Sequence, residues 1–207
     1  MSRTVIDVNR DPAGVSLYPG QITTGLCPTE TFDGEPFYHP GEEPDAAEIA
    51  RRRETWFDPY HAALAGEIAR LRRRHARVVL YDAHSIRGHV PRLFPGNLPD
   101  LNVGTNSGTT CATALAEAVM AACQRSPYTH ILDGRFKGGW TTRHYGRPRE
   151  GVHAVQMELA MRTYLPEPPV TAWGNWSADY DPARAAPLQR LLTEILEAAI
   201  AFAKEPA

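Results

Sequence analysis

The chain has 207 residues, of which 43% are hydrophobic and 22% charged, an ordinary globular composition that excludes disordered, collagen-like and coiled-coil proteins. Its 22 basic and 24 acidic side chains leave a net charge of -2, so no overall positive field favours nucleic acid or an anionic membrane surface. An odd number of cysteines suits free thiols in a reducing compartment. With no apolar signal region or membrane-length run, the sequence predicts a cytoplasmic protein without nucleic-acid or membrane partners.

The N-terminal part of the chain is predicted to be one short strand followed by a long loop. Residues 4–8 form a β-rich run that begins almost at the first residue. Residues 11–44 contain many prolines and glycines and keep neither a strand period nor a helix period. Such long loops are uncommon in compact domains unless they are functional or disordered. The aromatic residues of this loop favour packing against the rest of the chain.

Helical spacing of apolar residues predicts helix over 45–77. The Asp58–Pro59 pair within it predicts a kink or a break into two helices. Arginine clusters at 51–53 and 72–74 have acidic residues interleaved, which favours a solvated helix face over a nucleic-acid patch.

Strands and helices alternate in the rest of the chain. The apolar run Val78–Asp82 is typical of a central parallel strand that is buried on both faces. A helix is predicted over 110–125, a strand over 130–133 and an amphipathic helix from Pro182 onward. This alternation predicts an α/β fold in which the last helix covers one face of the sheet.

His84 is the first candidate for a functional side chain, since ligands of open α/β sheets bind beyond the carboxyl ends of strands. Asp82 lies two residues earlier and could orient the imidazole of a metal ligand or general base. A core histidine with satisfied hydrogen bonds is the alternative. His89 lies five residues on, which is not the spacing of a helical zinc pair.

Glu158 lies in a run, residues 155–159, that alternates as a half-buried strand does, although a helix is the competing prediction. On a strand, its carboxylate must be solvated, paired or functional, because burying an unpaired charge is costly. The residues alone leave two alternatives open, a general base acting on a metal-bound water and a surface salt bridge to Arg162.

Two further segments contain arginine beside residues that could contact a ligand. Asn9 and Arg10 close the first predicted strand, and the arginine could bind either a substrate carboxylate or a structural acid. Residues 135–146 combine cationic residues, glycines and aromatics in one loop, where glycine permits either close ligand approach or simply a turn. No phosphate-binding loop, dinucleotide fingerprint or serine-hydrolase elbow is present in the sequence.

Several long motifs, spread in order through nearly the whole chain, resemble those of the N-formylglutamate amidohydrolase (deformylase) family. They are Asp7-x-Asn9-Arg10, Ser16–Gly20, Thr24–Glu35, Leu80–Ile86, Gly134–Trp140 with Thr142–Gly146, and Val155–Glu158. The resemblance implies a zinc-dependent hydrolase that cleaves N-formyl-L-glutamate to formate and glutamate in histidine degradation. It also implies one domain over residues 1–207, a three-layer α/β/α sandwich with a mixed central sheet, related to the zinc carboxypeptidase and aspartoacylase group.

The resemblance also implies roles for individual residues. His84 would be a zinc ligand, and Glu158 matches the general base of related zinc hydrolases. The residues that would hold the carboxylates of a small-molecule substrate are Asn9 and Arg10, with Arg87 and Arg143 as further carboxylate or oxyanion partners. The zinc would polarise the formyl carbonyl and lower the pKa of its bound water to about 7.

The chain departs from the family pattern at its N-terminus, where a Pro-His-x-Gly motif and an acidic segment are expected and do not occur in the sequence. Because a catalytic zinc generally takes three protein ligands, a truncated chain with only His84 is expected to bind zinc poorly. The lost strand would expose a sheet edge or apolar face that favours aggregation or oligomers. The alternatives are a hydrolase of another N-acyl acidic amino acid and a non-catalytic, truncated relative that binds carboxylates.

Overall fold

A computed structural model of the chain describes residues 2–18, 20–168, 175 and 179–205. Its helices and strands are, in chain order, α1 (Ala46–Arg52), α2 (Asp58–Arg72), β1 (Val78–Ile86), β2 (Leu101–Gly104), α3 (Thr113–Gln124), β3 (His130–Leu132), α4 (Trp140–Tyr145), β4 (Val152–Ala160) and α5 (Pro182–Lys204). Among the helices of these residues, none combines the length and the apolar character that a membrane span requires.

The four strands form one mixed sheet in the order β1, β4, β2, β3. β4 pairs parallel with β1 and antiparallel with β2, and β2 pairs parallel with β3. The predicted α/β fold with a mixed sheet is therefore confirmed. The prediction of Val78–Asp82 as a central strand is wrong: within the described residues β1 pairs on one side only, and most of its side chains are half-buried.

The main core lies between the sheet and the helices α3 and α5. Val155 and Met157 of β4 are buried there against Leu115 of α3 and Ile195 of α5. The apolar positions that predicted the C-terminal helix are all buried, namely Leu188, Leu191, Ile195, Ala199 and Phe202. Burying one stripe of α5 in this way fixes which face of the sheet it covers.

The opposite face of the sheet is covered by α4 and by the N-terminal segment. α4 contacts both β1 and β4. A second apolar cluster combines Ile6, Phe57 and Trp140 from three separate parts of the chain. Both α4 and the short strand β2 are absent from the sequence-based prediction.

The predicted strand over residues 4–8 is wrong, because this segment forms turns. The Asp7 carboxylate accepts hydrogen bonds from the Asn9 backbone N–H at 3.0 Å and from the Arg3 guanidinium at 2.7 Å. Such local bonds from an aspartate favour a turn over an extended ladder. Ile6 is still buried, so the apolar residues of the run pack without forming a strand.

The helix predicted over 45–77 is confirmed for residues 46–72, with a new helix beginning at the predicted Asp58–Pro59 pair, whereas residues 73–77 are not helical. A π-helical turn, Arg53–Phe57, follows α1, and Asp58 and Pro59 begin α2. Arg51 and Arg52 of the first arginine cluster both bind the Glu48 carboxylate at 2.7 Å. The three cysteines are free, as predicted.

Candidate active site

The pairing of β1 with β4 brings four polar side chains together. The register sets Asp82 beside Gln156 and His84 beside Glu158. Because Val155 and Met157 enter the main core, strand alternation places the even-numbered residues of β4 on the opposite face. The strand prediction for residues 155–159 is thus confirmed, and Gln156 was detectable from the same alternation.

A cavity of about 280 Å³ opens on this face of the sheet. Four of the residues singled out in the sequence line it, namely Asn9, Arg10, His84 and Glu158. Other polar residues in its wall were not predicted as site residues, among them Arg3, Gln156 and Arg135. The elements that meet there include the N-terminal turn, the long loop that follows it, the loop before α4 and the two paired strands.

Glu158 is 8% exposed and makes no ion pair within the described residues. The alternative of a salt bridge to Arg162 is wrong, because Arg162 binds Asp100 at 2.8 Å. Burial raises the pKa of Glu158 to about 7, against the opposing effects of His84 and Arg3. A carboxylate with a pKa near neutrality, facing a cavity, has the properties of a general base.

His84 lies between a hydrogen-bond donor and an acceptor. Its Nε2 is 2.9 Å from Nδ2 of Asn9 and 2.8 Å from Oδ1 of Asp82. One ring nitrogen can accept from the amide or donate to the carboxylate, but it cannot do both at once. Burial lowers the pKa of His84, but the hydrogen bond and charge of Asp82 outweigh it, so the net shift is upward.

Asn9 and Arg10 are both fixed in place by neighbouring groups. Asn9 Oδ1 accepts a hydrogen bond from the Thr141 N–H at 2.7 Å, which turns its Nδ2 toward the imidazole. Arg10 lies 3.4 Å from the buried Asp7 and donates to two oxygen atoms of Thr24. Burial would raise the pKa of Asp7, but Arg10 and Arg3 hold it below its usual value. Of the two alternatives for Arg10, the structural acid is present, and the side chain also faces the cavity.

Arg87 and Arg143 lie outside the cavity wall. Arg87 binds both carboxylate oxygens of Asp33, at 2.9 and 2.7 Å. Arg143 donates to the carbonyls of Gly138 and Leu17. In this arrangement both side chains support loops around the cavity, and their role in substrate binding stays a prediction.

The loop over residues 134–139 contacts the sheet through a hydrogen bond to Gln156 of β4 and through a close approach to Gly104 of β2. The Gly139 N–H donates to Gln156 Oε1 at 2.6 Å, and Gln156 Nε2 donates to Glu158 Oε2 at 3.3 Å. Gly104 of β2 allows a close approach on the other side, since a Cβ there would lie 2.5 Å from the Gly138 nitrogen.

Gly104→Ala is therefore expected to displace this loop and to lower the free energy of unfolding by about 1–3 kcal/mol. The reason is that the clashing atoms belong to backbone and cannot retract without moving the loop. Chemical denaturation measures the loss. Gly66→Ala is the matched control, because it lies in α2 with nothing within 4 Å of the new Cβ, and we expect it to stabilise by about 0.5–1 kcal/mol. Equal effects at both sites would contradict the close approach.

The donors available for a metal ion are fewer than a catalytic zinc requires. In the described ranges, no group of three or more His, Cys, Asp or Glu side chains is placed to hold a metal. The Nε2 of His84 is engaged by either Asn9 or Asp82. The residues described here do not fit a zinc ion with three protein ligands.

A family model and two similar proteins that match the sequence all carry the same kind of name. The family model for N-formylglutamate amidohydrolase matches residues 1–165. An N-formylglutamate deformylase of Pseudomonas aeruginosa is 46% identical over 205 residues, covering 99% of this chain and 74% of that protein. The N-formylglutamate deformylase of Pseudomonas putida is 45% identical over 206 residues, with the same 99% and 74% coverage.

Solved structures share the fold. The crystal structure of N-formylglutamate amidohydrolase from Ralstonia eutropha superposes with a TM-score of 0.73 at 24% identity, covering 94% of this chain and 72% of that one. A gene product of Agrobacterium tumefaciens superposes with a TM-score of 0.64 at 19% identity, covering 98% and 69%. At these identities the likeness establishes the fold alone.

Proposed function

Because this chain belongs to the N-formylglutamate amidohydrolase family, we propose that it hydrolyses N-formyl-L-glutamate to formate and L-glutamate. The observation that carries the proposal is the cavity, in which a carboxyl group of raised pKa faces arginine side chains. The names of the two Pseudomonas relatives support this substrate. We place the reaction in the cytoplasm, at the end of histidine degradation.

In the proposed hydrolysis, Arg10 binds the substrate and Glu158 transfers the proton. Arg10 binds the α-carboxylate, which lies one carbon from the amide nitrogen and so sets the formyl group near Glu158. Glu158 accepts a proton from the water that attacks the formyl carbon. It then returns that proton to the leaving nitrogen as the C–N bond breaks. The side-chain amide of Asn9 directs an N–H group toward His84, which lies beside Glu158.

Zinc dependence, which the family resemblance implies, is kept as part of the proposal. His84 would supply one imidazole, but a catalytic zinc takes three protein ligands and the described residues do not provide them. No step is therefore assigned to the metal. We propose that the chain alone binds zinc weakly and that activity responds to added zinc.

Formate release from N-formyl-L-glutamate, assayed with and without added zinc, tests the proposed function. We expect formate and L-glutamate in equal amounts, and slower release of acetate from N-acetyl-L-glutamate. Faster hydrolysis of the acetyl substrate would favour the alternative of another N-acyl acidic amino acid.

A second candidate function is a non-catalytic protein that binds carboxylates, which the incomplete donor set favours. It predicts that the chain binds L-glutamate in the cavity and releases no formate under either zinc condition. That pair of results would overturn the proposed hydrolase while keeping the ligand class.

A further inference from the structure

Arg135 is held firmly in the cavity wall by groups that carry no charge. Its Nε donates to the Leu93 carbonyl at 2.9 Å and one terminal nitrogen donates to the Ile22 carbonyl at 3.3 Å. Its guanidinium also lies 5.3 Å from the ring centre of Tyr18 and 5.2 Å from that of Phe136. These contacts fix the position of the charge without neutralising it.

The other two arginines of the cavity wall differ from Arg135 in having an acidic partner. Arg3 and Arg10 share the buried carboxylate of Asp7, at 2.7 and 3.4 Å. Within the described residues no carboxylate oxygen lies within 4.0 Å of Arg135, although Asp11 also lines the cavity. Burial and the nearby charge of Arg10 lower the pKa of Arg135, with Tyr18 opposing them. The surroundings of Arg135 thus favour an anionic ligand.

The lining of the cavity suits a glutamyl substrate, because it combines polar groups, apolar residues and the charge of Arg135. His84, which lies beside Glu158, has Asn9 and Asp82 as alternative hydrogen-bond partners. Arg135 instead contacts Ile22 and Leu93, whose apolar side chains also line the cavity. Apolar residues beside a fixed guanidinium match a side chain of two methylene groups that ends in a carboxylate.

We propose that Arg135 is a specificity-determining residue that binds the side-chain carboxylate of the substrate, while Arg10 holds the α-carboxylate. This inference rests on the proposed function and assigns a residue to the acidic side chain. The neutral amide of a glutaminyl ligand would leave the guanidinium charge unpaired, so the cavity distinguishes glutamate from glutamine at this position.

Binding of L-glutamate and L-glutamine, measured by calorimetry on the wild-type chain and on Arg135→Gln, tests the assignment. We expect the wild-type chain to prefer glutamate. The variant is expected to bind glutamate about 10- to 100-fold more weakly and glutamine with little change, because a charge-assisted hydrogen bond is lost. Arg125→Gln, on an exposed side chain, is the control and should keep the wild-type preference.

Two further results make the test decisive. A folded Arg135→Gln chain that keeps the preference for glutamate would overturn the assignment. If that variant does not fold, Arg135→Lys replaces it: a loss of affinity confined to glutamate supports the assignment, and an equal loss for both ligands overturns it.

The proposed function fails separately, when the wild-type chain releases no formate. With activity present, the KM for N-formyl-L-glutamate should rise in the variant far more than kcat falls.

Discussion

Glu158→Gln is expected to lower kcat for formate release by about 10²- to 10⁴-fold, the usual contribution of a positioned general base. Gln has nearly the same shape as Glu but cannot accept and return the proton of the attacking water. The buried position of Glu158 beside His84, and its pKa of about 7, are the grounds for this role. Steady-state formate assays measure the effect. Glu117→Gln, on an exposed side chain of α3, should leave kcat unchanged.

The unfolding temperature of the Glu158→Gln variant distinguishes a loss of catalysis from a loss of folding. Since burial raises the pKa of Glu158, the folded chain holds the proton more tightly than the unfolded chain does. The contribution of Glu158 to wild-type stability should therefore fall as pH rises from about 4.3, the unfolded pKa, to about 7. The Gln variant escapes this cost, so above pH 7 its unfolding temperature should be no lower than that of the wild-type chain. A lower unfolding temperature there would attribute the lost activity to misfolding.

Ile195→Ala should be the most destabilising of the substitutions considered, by about 2–5 kcal/mol. Ile195 is 0% exposed on the face of α5 that packs against the sheet, so truncation leaves a cavity in the main core. Urea denaturation measures the loss. Ile200→Ala is a matched control on the same helix, because Ile200 is 52% exposed and we expect a change within about 0.5 kcal/mol. Similar losses at the two positions would contradict the packing of α5.

Elements with a long, regular apolar pattern were predictable from the sequence. The stripe of α5 and the alternation of β4 each specify one buried face, which is the strongest local signal a chain carries. β2 has only four residues and α4 only six, too short for either period to be recognised. The segment 4–8 has strand propensity, but the hydrogen bonds of Asp7 outweigh it.

The candidate site was predictable where its residues lie close in sequence or share a strand face. Glu158 and His84 come together because two parallel strands pair in register. The pairing of Arg87 with Asp33 joins residues far apart in sequence, so their spacing gives no signal of it. For the loop that contains Arg135, the sequence left a ligand contact and a plain turn of its glycines both open. The three-dimensional arrangement places the charge of Arg135 at the cavity, with no acidic partner among the residues that the structure describes.

Binding of intact N-formyl-L-glutamate to the Glu158→Gln chain, measured by isothermal titration calorimetry, separates substrate recognition in the cavity from proton transfer by Glu158. The variant keeps Arg10 and Arg135 in the cavity wall and lacks only the group proposed to move the proton. We expect one substrate molecule to bind per chain and to be recovered unhydrolysed. An absence of binding, or formate release at the wild-type rate, would contradict it.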